Sequence, residues 1–134
     1  MQIEPYLFFE GRCEEALEFY RQALGAEVTY LMRYGESPEG ELDDPSLKDK
    51  IMHANVRAEG ASFMVSDGDC QNPPSFRGFS LCLSLEDEAK VRTMFAALAE
   101  QGQVRMPLGQ TFFSPLFGMV EDRFGVVWML LVTP

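Results

Sequence analysis

The sequence predicts an α+β protein of two β-α-β-β-β modules, each a curved mixed sheet carrying one helix. The element order read along residues 3–66 returns along residues 76–133, with a Pro-rich break, DGDCQNPPS, between them. Each half holds one amphipathic helical stretch followed by glycine, CEEALEFYRQALG and DEAKVRTMFAALAEQG. An ungapped shift of 65 residues also lays Gly60 on Gly125, Phe63 on Trp128 and Met64 on Met129. We therefore expect one domain, 1–134, with module one at about 1–68 and module two at about 76–134.

The elements follow in order. EPYLFFEG alternates, carries aromatics and breaks at Gly11, so it reads as a short strand. In the next stretch Cys13, Ala16, Leu17, Tyr20 and Leu24 recur at three- and four-residue steps, Glu14 and Glu15 occupy the first turn, and Gly25 can take the left-handed stop. AEVTYLMRYG, KIMHANVRAEG and ASFMVSDG supply three strands, while ESPEGELDDPSLKDK (36–50) is acidic, lacks an apolar period and reads as a surface loop. In the second half FSLCLSL alternates as a strand, and a helix presents Val91, Met94, Phe95 and Leu98 before stopping at Gly102. QVRMP, SPLFGMVED and GVVWMLLV complete the repeat. One helix covers one face of each sheet, so the two uncovered faces are expected to form a shared cleft.

At 134 residues, 46% of them hydrophobic and 12% aromatic, the chain can build a substantial core. A net charge of −10 without a basic tract repels phosphate backbones and anionic bilayers, so no nucleic acid and no membrane partner is expected. No apolar run approaches the roughly 20 residues of a spanning helix. Cys13, Cys70 and Cys82 are odd in number and without CxxC spacing, and no leader precedes them, which points to reduced thiols in the cytoplasm. Cys13 lies on the helical apolar stripe, and Cys70 sits in the Pro-rich loop with no base beside it. There is no GxGxxG after a strand and no Walker pattern, so no cofactor is expected.

With these elements in hand, EALEFYRQALGAEV after a short first strand and the closing DRFGVVWML resemble the vicinal oxygen chelate superfamily, which includes glyoxalase I, bleomycin-resistance proteins and extradiol dioxygenases. PYLFFEG, HANVRAEGASFMVSDG and GFSLCLSL are similar to its PhnB-like branch. The resemblance implies the glyoxalase/bleomycin-resistance-like fold, a homodimer, and, in metal-dependent members, a divalent ion held by His or Glu at up to four strand positions. Carried over, those positions fall on Pro5, Met64, Ser80 and Met129. Thioethers and a proline are poor partners for a hard dication, so the metal assignment is none.

On HANVR, Ala54 and Val56 suit a covered face, which turns His53, Asn55 and Arg57 toward the open one. His53, the sole histidine, is a weak candidate for a general acid-base, beside structural and ligand-holding roles that stay open. Arg57 is the one cation placed to meet a phosphonate. We expect Leu7, Phe9, Met64, Cys82 and Met129 to line an apolar pocket, with His53, Asn55, Arg57, Ser66 and Ser80 as polar fixtures. Trp128 and Phe63 belong to the core. Asp67 and Asp122 shape turns, the latter with Gly125 at positive φ. Phe112 and Phe113, adjacent in a loop, would cap the pocket or join a subunit contact. The expected function is metal-free binding of an unknown small organic molecule. The alternative is a lyase, isomerase, dioxygenase or thiol transferase whose metal is held by His53, Asn55 and an acid of the 36–50 loop.

Overall fold

The structure, a computed structural model, describes residues 1–38 and 44–134. The chain divides into two compact units, Met1–Pro74 and Ser75–Pro134, with the boundary inside the Pro-rich break. Among the described residues no helix is long and apolar enough to cross a membrane.

In the first unit β1 (Tyr6–Phe8), α1 (Cys13–Leu24), β2 (Glu27–Arg33), β3 (Ile51–Ala58) and β4 (Ala61–Ser66) follow in the expected order. The sheet order is β1-β4-β3-β2, with β1 parallel to β4 and the other pairs antiparallel. Short 3-10 turns at Tyr34–Glu36 and Pro45–Leu47 occupy the described parts of the acidic segment. The rest of that expected loop, 39–43, lies outside the described residues. Helix α1 stops because Gly25 adopts φ 67, which lets its N–H reach the Arg21 carbonyl and that of Ala26 reach Tyr20. Its apolar stripe buries Cys13, Ala16, Leu17, Phe19, Tyr20, Ala23 and Leu24. Tyr20 meets Phe9 and Phe63 with ring centroids 6.1 and 6.2 Å apart, so both rings face the helix.

The second unit repeats the plan with β5 (Leu81–Leu85), α2 (Glu88–Ala99), β6 (Gln103–Gly109), β7 (Phe117–Glu121) and β8 (Val127–Val132), ordered β5-β8-β7-β6. Strand β5 is again parallel to the final strand of its unit. Asp87 caps α2 by accepting from the Lys90 N–H at 3.2 Å. The helix ends at Ala99, three residues short of the expected glycine, and Gln101 rather than Gly102 takes positive φ. Gly102 is needed for another reason: a Cβ there would collide with the Glu121 carbonyl oxygen. Val91, Leu98, Val120, Trp128 and Leu130 form the core beneath α2.

Two buried carboxylates close the units. The Asp122 Oδ1 accepts from Phe124 and Val126 N–H at 2.9 and 3.1 Å, while its Oδ2 accepts from the Trp128 indole at 2.9 Å. Asp67 does more than shape its turn: Oδ1 accepts from Gly11 and Cys13 N–H at 2.9 and 2.8 Å, and Oδ2 from Ile51 N–H at 2.8 Å. It thereby ties the β1-α1 junction, the first turn of α1 and the start of β3 together. Burial, reinforced by the Asp67 charge, pushes the Cys13 thiol far up, so Cys13 stays a protonated core group.

Candidate functional site

Helix α1 covers one face of the first sheet; the polar residues collect on the other. Register alone puts them together. Tyr6 lies opposite Met64, Met64 opposite Asn55, and Asn55 opposite Tyr30, with Met32 opposite His53. Directly opposed residues point to the same face, so four strands contribute to one surface.

At its centre His53 is held from both sides. The Tyr6 hydroxyl lies 2.7 Å from Nδ1 and the Asn55 Oδ1 lies 2.8 Å from Nε2. An amide oxygen can only accept, so Nε2 carries a hydrogen; in the neutral ring Nδ1 is then the acceptor and Tyr6 donates to it. Burial holds the Tyr6 hydroxyl above its ordinary range, which keeps that proton in place at neutral pH. Tyr6 stacks on Phe8 with centroids 5.0 Å apart and planes 24° from parallel, and the Tyr30 ring lies 6.2 Å from His53. Tyr6, Phe8 and Tyr30 remain exposed at 38%, 50% and 47%, far more than other aromatics of this unit such as Phe9, Tyr20 and Phe63. Arg57 is exposed on the same strand and face as His53 and Asn55. The arrangement can stack a flat apolar group, and it can accept a hydrogen bond at the Tyr6 oxygen. It can also pass a proton from a bound group through Tyr6 to Nδ1.

The expected site residues divide between the core and the open faces. Leu7 and Phe9 are 1% and 0% exposed and face α1, so they belong to the core; their neighbours Tyr6 and Phe8 take the open face instead. The slip is one residue, which in a strand exchanges the faces. In the same register Tyr6 stands opposite Met64. Ser66 lies opposite Phe8, on the face that carries Tyr6 and Met64, but it is 2% exposed and its hydroxyl accepts from the Gly68 N–H at 2.9 Å. Cys70 is half-buried, with its thiol directed at the Asp67 carbonyl at 3.6 Å and raised by burial and neighbouring charge. In the second sheet Cys82 lies opposite Met129 on the uncovered face, with Ser80 two residues before Cys82, while Trp128 is buried at 2%. Phe112 is fully exposed and meets Phe113 edge to face at 5.2 Å; Phe113 in turn covers Phe117 at 5.1 Å.

The strand positions Met64 and Met129, which the resemblance implies for a divalent ion, offer donors that do not fit one. Met64 is flanked by Tyr6 and Asn55, and Met129 by Cys82 and Met119. Neutral thioethers and amides give a hard dication too little charge. Among the described residues no three His, Cys, Asp or Glu side chains gather into a cation site.

Residues 1–131 match the family described as 3-demethylubiquinone-9 3-methyltransferase. Protein YjdN of Escherichia coli K12 is 37% identical, covering 98% of this chain and 95% of its own length. The chain belongs to this family. Among solved structures, protein PA1353 from Pseudomonas aeruginosa is 42% identical with a TM-score of 0.86, covering 99% of this chain and 98% of that one. A Bacillus cereus protein named as a PhnB protein is 32% identical with a TM-score of 0.79, covering 99% and 100%. A glyoxalase/bleomycin resistance protein from Albidiferax ferrireducens, 14% identical with a TM-score of 0.57 over 98% and 95%, shows the fold alone. The PhnB-like family thus carries the glyoxalase/bleomycin-resistance type of fold, as the repeated modules imply.

Proposed function

We propose that this protein binds a small organic molecule without a divalent metal, on the open face of its first sheet, and does so as a cytoplasmic homodimer. The observation that carries this is the Tyr6–His53–Asn55 chain, set among exposed aromatic rings on one sheet face. Exposed rings beside a fixed hydroxyl are costly on a bare surface and suit a flat ligand that stacks and donates one hydrogen bond. With its hydrogen committed to Nδ1, the Tyr6 oxygen offers lone pairs, so the ligand side is an O–H or N–H group. The family description names a demethylubiquinone, a compound whose flat ring is compatible with such a surface. Methyl transfer would further require a site for a methyl donor, and no glycine-rich loop after a strand provides a familiar one.

The test is native mass spectrometry of protein purified without a metal-affinity tag, together with elemental analysis. The expected result is a dimer retaining an organic molecule, which Tyr6→Phe and His53→Ala release while the fold persists. One divalent ion per chain, lost on replacing Met64 and Met129, would overturn this proposal and favour the metalloenzyme alternative.

A further inference from the structure

One row across the open face of the second sheet is built of sulfur. Register sets Cys82 opposite Met129, Met129 opposite Met119, and Met119 opposite Met106. One thiol and two thioethers therefore cross three strands side by side, and Met106 follows on β6 between two irregularities of the ladder. The covered face is taken by Val120, Trp128 and Leu130, all buried, so the sulfur row lies on the other side. Cys82 and Met106 are exposed, and Met119 and Met129 half-buried. The equivalent row of the first sheet, Tyr6, Met64, Asn55 and Tyr30, holds a single sulfur.

Neighbouring strands lie about 4.8 Å apart, and methionine has three rotatable bonds with which to bring its sulfur inward. An ion above Met129 is within reach of Cys82 on one flank and Met119 on the other, with Met106 beyond. The surroundings favour low charge. On the same face Phe117 lies opposite Leu131, and Glu121 is engaged by Arg105. Soft, mostly neutral donors beside apolar side chains select a soft monovalent ion over Mg²⁺, Mn²⁺ or Zn²⁺.

We propose that Cys82, Met119 and Met129, with Met106 as a fourth donor, form a binding site for one copper(I) ion. Binding converts the Cys82 thiol to a thiolate and releases its proton to solvent. The metal enters and remains as copper(I), so no electron moves, and thiolate and ion together are neutral. The site goes beyond the proposed ligand surface: it lies on the other sheet and shares no residue with it.

The test is an anaerobic titration of the full chain with copper(I) presented as its bicinchoninate complex, followed by NMR of methionine methyl groups. The expected result is withdrawal of one copper(I) per chain with shifts in Met106, Met119 and Met129. Met119→Leu, Met129→Leu and Cys82→Ser should each weaken binding by at least about tenfold, the lower range of effects seen even for residues that merely support metal ligands. Leucine conserves volume and apolar character, so a row that serves only as a greasy surface would be indifferent to it. Cys70→Ser should leave binding unchanged. Failure to withdraw copper would overturn the proposal. So would binding that survives the double leucine variant, or binding that disappears with Cys70→Ser. The methyl shifts are read on the unsubstituted protein, so they decide the matter even where a variant folds poorly.

Discussion

His53 and Asp67 illustrate how differently polar residues are used within one unit. His53 sits among exposed rings with both nitrogens engaged, where its substitution removes little packing. Asp67 is 1% exposed and accepts from three backbone N–H groups supplied by two separate segments. Asp67→Ala leaves those donors buried without partners, at about 1–3 kcal/mol apiece. The expected outcome is a loss of roughly 3 kcal/mol or more, read as a lower urea midpoint at unchanged slope. Asp67→Asn keeps one acceptor oxygen and should cost visibly less; equal losses for the two variants would sink this account. The sequence shows why Asp122 is the easier residue to read. Its backbone partners are two and four residues away, whereas the Gly11 partner of Asp67 is 56 residues distant and brought near only by the parallel pairing of β1 with β4.

At the scale of elements, helices and most strand faces were legible because their patterns contrast. Leu81, Leu83 and Leu85 alternate with Cys82 and Ser84, so composition alone marks the faces of β5. β1 offers no such contrast: in YLFF every residue is apolar or aromatic, and the face is decided by a three-residue register with β4. That is why the sequence pattern alone turns Leu7 and Phe9 to the wrong side and does not single out Tyr6. The tie between α1 and β2 was equally hidden. Arg33 donates to both carboxylate oxygens of Glu14 at 3.0 and 3.1 Å and to the Asp49 carbonyl at 2.6 Å. The Arg33 hydrogen bonds hold the Glu14 carboxyl below its ordinary range. A depressed folded-state pKa stabilises the fold above the unfolded value of about 4.3 and loses that contribution as pH falls through the folded value. Because the Glu14 side chain is 71% exposed, solvent screening keeps the effect small. Glu14→Gln should therefore cost little at pH 7, and its stability should decline less steeply than the wild type on acidification below pH 4.3. Parallel denaturation curves across that range would refute the assignment.

For the whole molecule, repeated architecture contrasts with divergent chemistry. The two sheets share order and polarity, yet equivalent rows read Tyr6, Met64, Asn55, Tyr30 in one and Cys82, Met129, Met119, Met106 in the other. Backbone pairing tolerates either set, because only covered faces must match a helix, and this is why repetition revealed the fold but not the sites. Charge is divided just as unevenly. Of the 21 acidic and 11 basic residues, 15 and 6 fall in Met1–Pro74, leaving 6 and 5 for Ser75–Pro134, or net charges of −9 and −1. Self-repulsion at that density weakens a compact state, and salt screens it over a Debye length of about 10 Å at 0.1 M. Raising sodium chloride from about 0.01 to 0.1 M, where that length shrinks from about 30 Å, should slow amide exchange in β2, β3 and β4 more than in β6, β7 and β8. Hydrogen exchange followed by mass spectrometry reads both units in one sample. A uniform slowing would assign the effect to salt acting on apolar burial generally, since that would strengthen both cores alike.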